Sequence, residues 1–364
     1  LKLPYYAKAV LILIGLLALF AAFKITQSVV VPLVFALMIA IALHPLVHFF
    51  VRMKINRVIA IILTLALTVI AIAALSTLVV SQGIRLSESW PVLSEKLDGF
   101  FDQAVTAASD FLDVKPQKIQ AWLTKAKSEI INTSMAAIGQ TLVILGGAVV
   151  VLLLIPVYVF LLLFYEPILL EFIRRLFSAN NQDQVGEIVT RTKYVVQRYI
   201  IGLVIEAVLV ATLNTVALLI LGIDYALLIG LIGGLLNIIP YVGGVVAVAL
   251  PMTVALITKP SPWYALYVLG AYYLIQLLDN NYIVPKIVAS KVKINALFAI
   301  VVVIAGNALW GVPGMFLSLP LLAIVKVICD EIEPLKPWGF LLGDTMPPII
   351  KIKLKLKKTK SSSP

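Results

Sequence analysis

Charge is what this chain has least of. Of 364 residues only 13% are charged and 62% are hydrophobic, against about 25% and about 45–50% in an ordinary soluble domain. An apolar excess of this size does not fit inside one soluble core; it suits a chain whose solvent is lipid. Cysteine is nearly absent too. Cys329 stands alone, which excludes an internal disulfide, and in its apolar run it reads as a small buried hydrophobe. His44 and His48 are the only histidines. Their spacing puts both on one face of a helix. The glutamate of a His-Glu-x-x-His site is missing, and no third ligand accompanies them, so polar packing beside Pro45 is preferred to a metal site. There is no Gly-x-x-x-x-Gly-Lys-Ser/Thr loop to cradle phosphate and no pair of carboxylates placed in a groove. The chain reads as a non-enzyme with no cofactor.

The charge that is present is lopsided, +11 overall. The basic residues sit at the ends of apolar runs and in the tail. That pattern assigns them to membrane orientation and anionic lipid rather than to nucleic acid.

Long hydrophobic runs are abundant. A bilayer core about 30 Å thick needs about 20 apolar residues per helix. Tyr5–Phe23, Val29–Phe50, Val58–Val80, Thr141–Tyr165 and Tyr199–Leu221 qualify. They are expected to be helices, because backbone groups in hydrocarbon must be satisfied within the segment. No small-residue cleavage site follows the first run, so it reads as a retained membrane helix rather than a signal peptide. After Asp224 the runs shorten. Tyr225–Ile239 and Val245–Ile257 flank Pro240-Tyr241-Val242-Gly243-Gly244; Trp263–Leu278 follows; Asn295–Trp310 and Val312–Ile328 flank Gly311-Val312-Pro313-Gly314. Proline removes a donor and glycine frees the backbone, so the chain is expected to break twice. Paired interruptions of this kind point to a transport site, although hinges without ligand read the same way.

Residues 81–140 carry charges every few positions. Leu93, Leu97, Phe100, Phe101, Ala104, Ala108 and Phe111, then Ile119, Trp122, Leu123, Ala126 and Ile130, fall at helical spacing. Two amphipathic helices, parted near Asp113–Pro116, are expected outside the hydrocarbon. The resulting plan is all-α and polytopic, with about eight membrane segments, two of them Pro/Gly-broken and open to a re-entrant reading. Residues 1–80 form three membrane helices, 81–140 the insert, 141–329 the remaining membrane segments and 330–364 a basic tail. The basic loops at Arg52–Arg57 and Arg174–Arg198, the lysines after residue 285 and the tail Lys351–Lys360 all fall on one side. The positive-inside rule puts that side, and both termini, in the cytoplasm, with the insert outside the inner membrane. The tail alternates lysine with isoleucine or leucine, which suits a strip on anionic headgroups or a short partner strand.

Polar residues inside apolar runs are costly and therefore informative. Glu206 lies about two turns into the fifth run. It is a candidate for binding a proton or cation, or for a structural hydrogen bond. Asn214, two turns on, reads as helix glue. Asn237 precedes the first break; Gln276, Asp279 and Asn280 follow the Trp263–Leu278 run; Asn307 precedes the second break. Asn237, Pro240, Gly243, Gln276, Asp279, Asn280 and Gly311 are the expected solute-site residues, with Glu206 as the coupling group.

At these breaks the sequence resembles the autoinducer-2 exporter family, the PerM-like permeases. The resemblance rests on Asn237-Ile238-Ile239-Pro240-Tyr241-Val242-Gly243, Ile275-Gln276-Leu277-Leu278-Asp279-Asn280, Pro285, Gly306, Gly311, Gly314 and Pro320. Leu221-Gly222-Ile223-Asp224-Tyr225-Ala226, Pro32, Ala36, Pro45-Leu46 and Asn56-Arg57 extend it over most of the chain. It implies a secondary transporter of the cytoplasmic membrane that exports autoinducer-2 or another small polar solute. It equally implies a sodium/proton antiporter, whose partners are a monovalent cation and a proton. A homo-oligomer, a pentamer, is implied as well. A non-transporting scaffold and a channel are the rival classes.

Overall fold

The computed structural model describes residues 4–112, 154–177, 182–238, 242–288 and 294–345. Among them the protein is all-α. The elements are α1 Tyr5–Ile25, α2 Gln27–Arg52, α3 Arg57–Leu112, α4 Leu154–Arg175, α5 Gln182–Ile220, α6 Ala226–Asn237, α7 Val242–Thr258 and α8 Trp263–Leu278. A π-helical segment, Asp279–Val288, continues α8; then come α9 Ala296–Trp310, α10 Val312–Glu331 and α11 Lys336–Leu342. An isolated antiparallel bridge pairs Ile294 with Gly343. Stretches of α1, α2, α3, α4, α5 and α10 are long and apolar enough to cross a membrane. The protein is a multi-pass membrane protein.

Where they are described the apolar runs are helices, as expected, but two helices outgrow them. α5 runs for 39 residues, so Arg191, Lys193 and Arg198 lie on it and not in a loop. Val185, Val195 and Val196 are buried along this extension, and their packing carries the helix on below the apolar run. α3 continues without interruption to Leu112, joining the third run to the first amphipathic stretch. The second amphipathic stretch, the parting near Asp113–Pro116, Pro240 and the tail Lys351–Lys360 lie outside the described residues.

The two breaks take different forms. At the second, a single residue, Gly311, joins α9 to α10. Its φ is +64° and ψ −143°, a conformation natural only to glycine. The two helices then pack back to back through Gly306 and Gly314. A Cβ on Gly306 would stand 2.8 Å from the Gly314 carbonyl carbon, so any side chain there forces the pair apart. The tip of this hairpin touches the α1–α2 junction: Trp310 Nε1 donates to Phe23 O at 3.1 Å and Lys24 Nζ to Ala308 O at 3.2 Å. Its open end lies against α5, where Arg191 pairs with Glu331 and Gln184 donates to the Glu331 carbonyl at 3.0 Å.

The first break lies at the tip of the α6–α7 hairpin. α6 runs back along α5, with Gly230 against Thr215 and Gly234 against Ala211 and Ala207; a Cβ on Gly234 would stand 2.6 Å from the Ala207 carbonyl oxygen. These glycines let the two backbones approach. α6 has 12 residues, about 18 Å of helix. α7 returns to the starting level, where Lys259 Nζ lies near Gly222. Leu218, Ile223, Ala226, Ile229, Val254, Ala255 and Val268 close the core of this unit.

Candidate functional site

The site forms where α6 stops. Asn237 is the last residue of α6, and antiparallel packing brings it level with Glu206 of α5. Asn237 Nδ2 donates to Glu206 Oε1 at 3.1 Å and to Asp279 Oδ2 at 2.9 Å. One amide thus holds two carboxylates from two other elements. Gln276 Nε2 adds donations to Asp279 Oδ2 at 3.4 Å and Asn280 Oδ1 at 3.3 Å. Glu206 is only 6% exposed and Asp279 only 2%. No basic side chain is paired with either carboxylate among the described residues.

Three local features position these groups. α6 ends at Asn237, which brings the negative end of its helix dipole close to the cluster. The π-helical turn that begins at Asp279 widens the helix and separates Asp279 from the register of α8, the kind of bulge that recurs at functional sites. Close packing at Gly230 and Gly234 then sets the depth at which Asn237 arrives. The arrangement is acceptor-rich: two carboxylates and a helix C-terminus face one amide. Such a site favours a cation or a proton over an anion.

Of the residues expected from sequence, Glu206, Asn237, Gln276, Asp279 and Asn280 come together here. Gly243 lies in the first turn of α7, beyond the break. Gly311 does not join the cluster; its amide bonds Asn307 O at 2.8 Å at the tip of the other hairpin. The sequence offered no paired carboxylates, and that reading is corrected: Glu206 and Asp279 meet through a hairpin that no local pattern reveals.

A second charged cluster went unread. Glu166, near the end of α4, accepts from Lys193 Nζ at 2.5 Å and from Arg57 Nη2 at 3.2 Å, with His44 Nε2 at 3.1 Å. Arg57 Nη2 also donates to Leu163 O at 2.8 Å. One carboxylate therefore ties α2, α3, α4 and α5 together. The position of His44 follows from this contact, and its ring stands edge-on to His48 at 4.6 Å. The only forewarning in the sequence is a lone acid just past the fourth apolar run, facing basic loops on both sides. Beside it opens an apolar cavity of about 910 Å³, lined by Leu37, Ile41, Leu162, Phe172 and Ile188 among others. It does not include the Glu206–Asp279 cluster.

The model of the AI-2E family transporter matches residues 13–333. The chain belongs to the AI-2E transporter family. Both clusters and both hairpins fall inside the matched span. The AI-2 transport protein TqsA of Escherichia coli K12 is 24% identical over 344 residues, 92% of this chain and 95% of TqsA. PerM of the same strain, a permease by name, is 26% identical over 255 residues, 68% of this chain and 70% of PerM. A transport protein by name from Borreliella burgdorferi is 25% identical over 351 residues, 93% and 92% of the two chains. As an AI-2E family member this protein is a membrane transporter that takes a small solute and works in a lipid bilayer.

Proposed function

We propose that the protein is a secondary transporter of the inner membrane that exports a small polar solute, and that Glu206, Asn237, Gln276 and Asp279 form its coupling site. One observation carries the reading: two buried carboxylates share a single amide at the end of a short apolar helix. A discontinuous helix whose C-terminal end meets acidic side chains is the arrangement transporters use to hold a sodium ion or proton. Ionisable groups within a membrane domain mark ion pathways far more often than they serve packing. The solute class follows the likeness to TqsA, an AI-2 transport protein: autoinducer-2 or another small polar solute. Asn280 borders the cluster through Gln276, Gly243 follows the break, and Gly311 serves the tip of the second hairpin.

The acceptor-rich character of the cluster favours one further reading, in which a monovalent cation is itself the cargo and a proton the counter-substrate. The proposed setting is common to both: termini and basic loops in the cytoplasm, residues 81–140 outside, and several copies, on the family pattern five, associating through apolar faces.

Flux in proteoliposomes tests the site. Glu206→Gln and Asp279→Asn keep shape and remove charge. Each is expected to lower gradient-driven flux by about tenfold or more, while Asn237→Ala uncouples solute from ion. Wild-type flux in both carboxylate variants would sink the assignment. Wild-type protein that moves nothing under any gradient would favour a scaffold, and flux that never saturates a channel.

A further inference from the structure

Above the carboxylate pair, toward the Gly222–Lys259 end of the first hairpin, lies a second polar level. Asn214 is 3% exposed and Tyr272 5%. Asn214 sits on α5, two turns beyond Glu206; Tyr272 sits on α8, two turns before Asp279. They meet at Gly233 of α6, one turn before Asn237. A Cβ on Gly233 would stand 2.9 Å from Asn214 Nδ2 and 3.7 Å from Tyr272 Oη. The same three elements that build the coupling site thus build this level, about 6 Å away along α6.

Its polar atoms are unusual. Asn214 Oδ1 and Tyr272 Oη are buried without a hydrogen-bond partner among the described residues, and so is Asp279 Oδ1 below them. A buried hydroxyl or amide left without a partner is destabilising, and in hydrocarbon nothing lowers that cost except water or cargo. Leucine in place of Asn214 and phenylalanine in place of Tyr272 would avoid it. These groups therefore lower stability where they stand, as functional groups do.

We propose that Asn214 and Tyr272 form a hydrated step through which protons pass between the Glu206–Asp279 pair and the Gly222–Lys259 face. The step rests on the reading of that pair as the coupling site. A hydronium on the outer side gives its extra proton to Tyr272 Oη and is left as water, while the hydroxyl passes its own hydrogen to a water on the inner side, which becomes the hydronium. That hydronium protonates a carboxylate, and the tyrosine is neutral before and after. Asn214 Oδ1 holds the water in line. Glycine at 233 leaves the space it fills. Glu206 and Asp279 below and Lys259 above are the charged groups that flank the path.

The test uses the full-length protein in liposomes with an internal pH dye, together with thermal unfolding of the same preparations. Tyr272→Phe and Asn214→Leu are expected to slow proton flux at least tenfold. Both should unfold at the wild-type temperature or higher, and added sodium, which is expected to raise the unfolding temperature of the wild type, should raise theirs equally. Gly233→Ala, which displaces the Asn214 amide, should slow proton flux as well. Wild-type proton flux in Tyr272→Phe and Asn214→Leu would overturn the step. So would loss of the sodium-induced rise, which would make these residues part of the ion site itself. Glu206→Gln and Asp279→Asn run alongside. If they transport normally, the coupling site falls; if they fail while Tyr272→Phe is normal, only the hydrated step falls.

Discussion

Glu166 shows how much one side chain holds in a chain so poor in charge. Its carboxylate is the shared acceptor for Lys193, Arg57 and His44, and it is partly shielded from solvent, with about a fifth of its side chain exposed. Glu166→Gln leaves Lys193 and Arg57 facing each other without an anion. The expected cost is about 2 kcal/mol, below the 3–5 kcal/mol of a fully buried broken pair because water still reaches the site. Thermal unfolding in detergent measures it. Adding Lys193→Met should recover part of the loss, since the two positions are coupled; a purely additive double variant would contradict the contact. The residues of the proposed coupling site are individually legible, because Asn237, Gln276 and Asp279 are polar residues within or at the ends of apolar runs. Their convergence is not. Asn237 reaches Glu206 across 31 positions and Asp279 across 42, and only the return of α6 along α5 closes those distances. Glu166 escaped because it sits just past the end of an apolar run, where an acid looks like ordinary interface.

At the level of elements, glycine decides how closely helices pack, and different glycines predict different outcomes. Gly234→Ala drives a methyl group into the α5 backbone at Ala207 and Ala211. It is expected to destabilise by about 1–3 kcal/mol and to lift Asn237 away from Glu206, lowering flux as well. Gly270→Ala meets nothing within 4 Å and should be neutral or slightly stabilising, because alanine holds a helix better. Equal unfolding temperatures for the two variants would refute the packing argument. Helix existence was plain from run length, since crossing hydrocarbon demands an unbroken apolar stretch. Helix extent was not. Below Tyr199 the chain carries Arg191, Lys193 and Arg198, and charge at that density reads as loop. Val185, Val195 and Val196 recur on one face among them and bury it, and that stripe keeps α5 helical.

For the whole molecule, the proposed topology says which loops share a face. On that topology the α2–α3 loop with Lys54 and the α7–α8 loop with Lys259 belong to opposite faces, the first cytoplasmic. With Cys329 buried, background labelling is low. An impermeant maleimide added to intact cells should label Lys259→Cys and leave Lys54→Cys untouched until the membrane is opened; the reverse order would invert the topology. One helix then acquires a mechanical meaning. α5 touches α10 through Arg191, α4 through Lys193, and α6 and the π-helical segment through Glu206. Lys193 and Glu206 are separated by about 20 Å of continuous helix. A tilt of about 10° pivoted at Lys193 would sweep Glu206 through about 3.5 Å on that arm, more than the length of its bond to Asn237. Were α5 to pivot at its salt-linked lower end, its far arm would open or close the carboxylate pair.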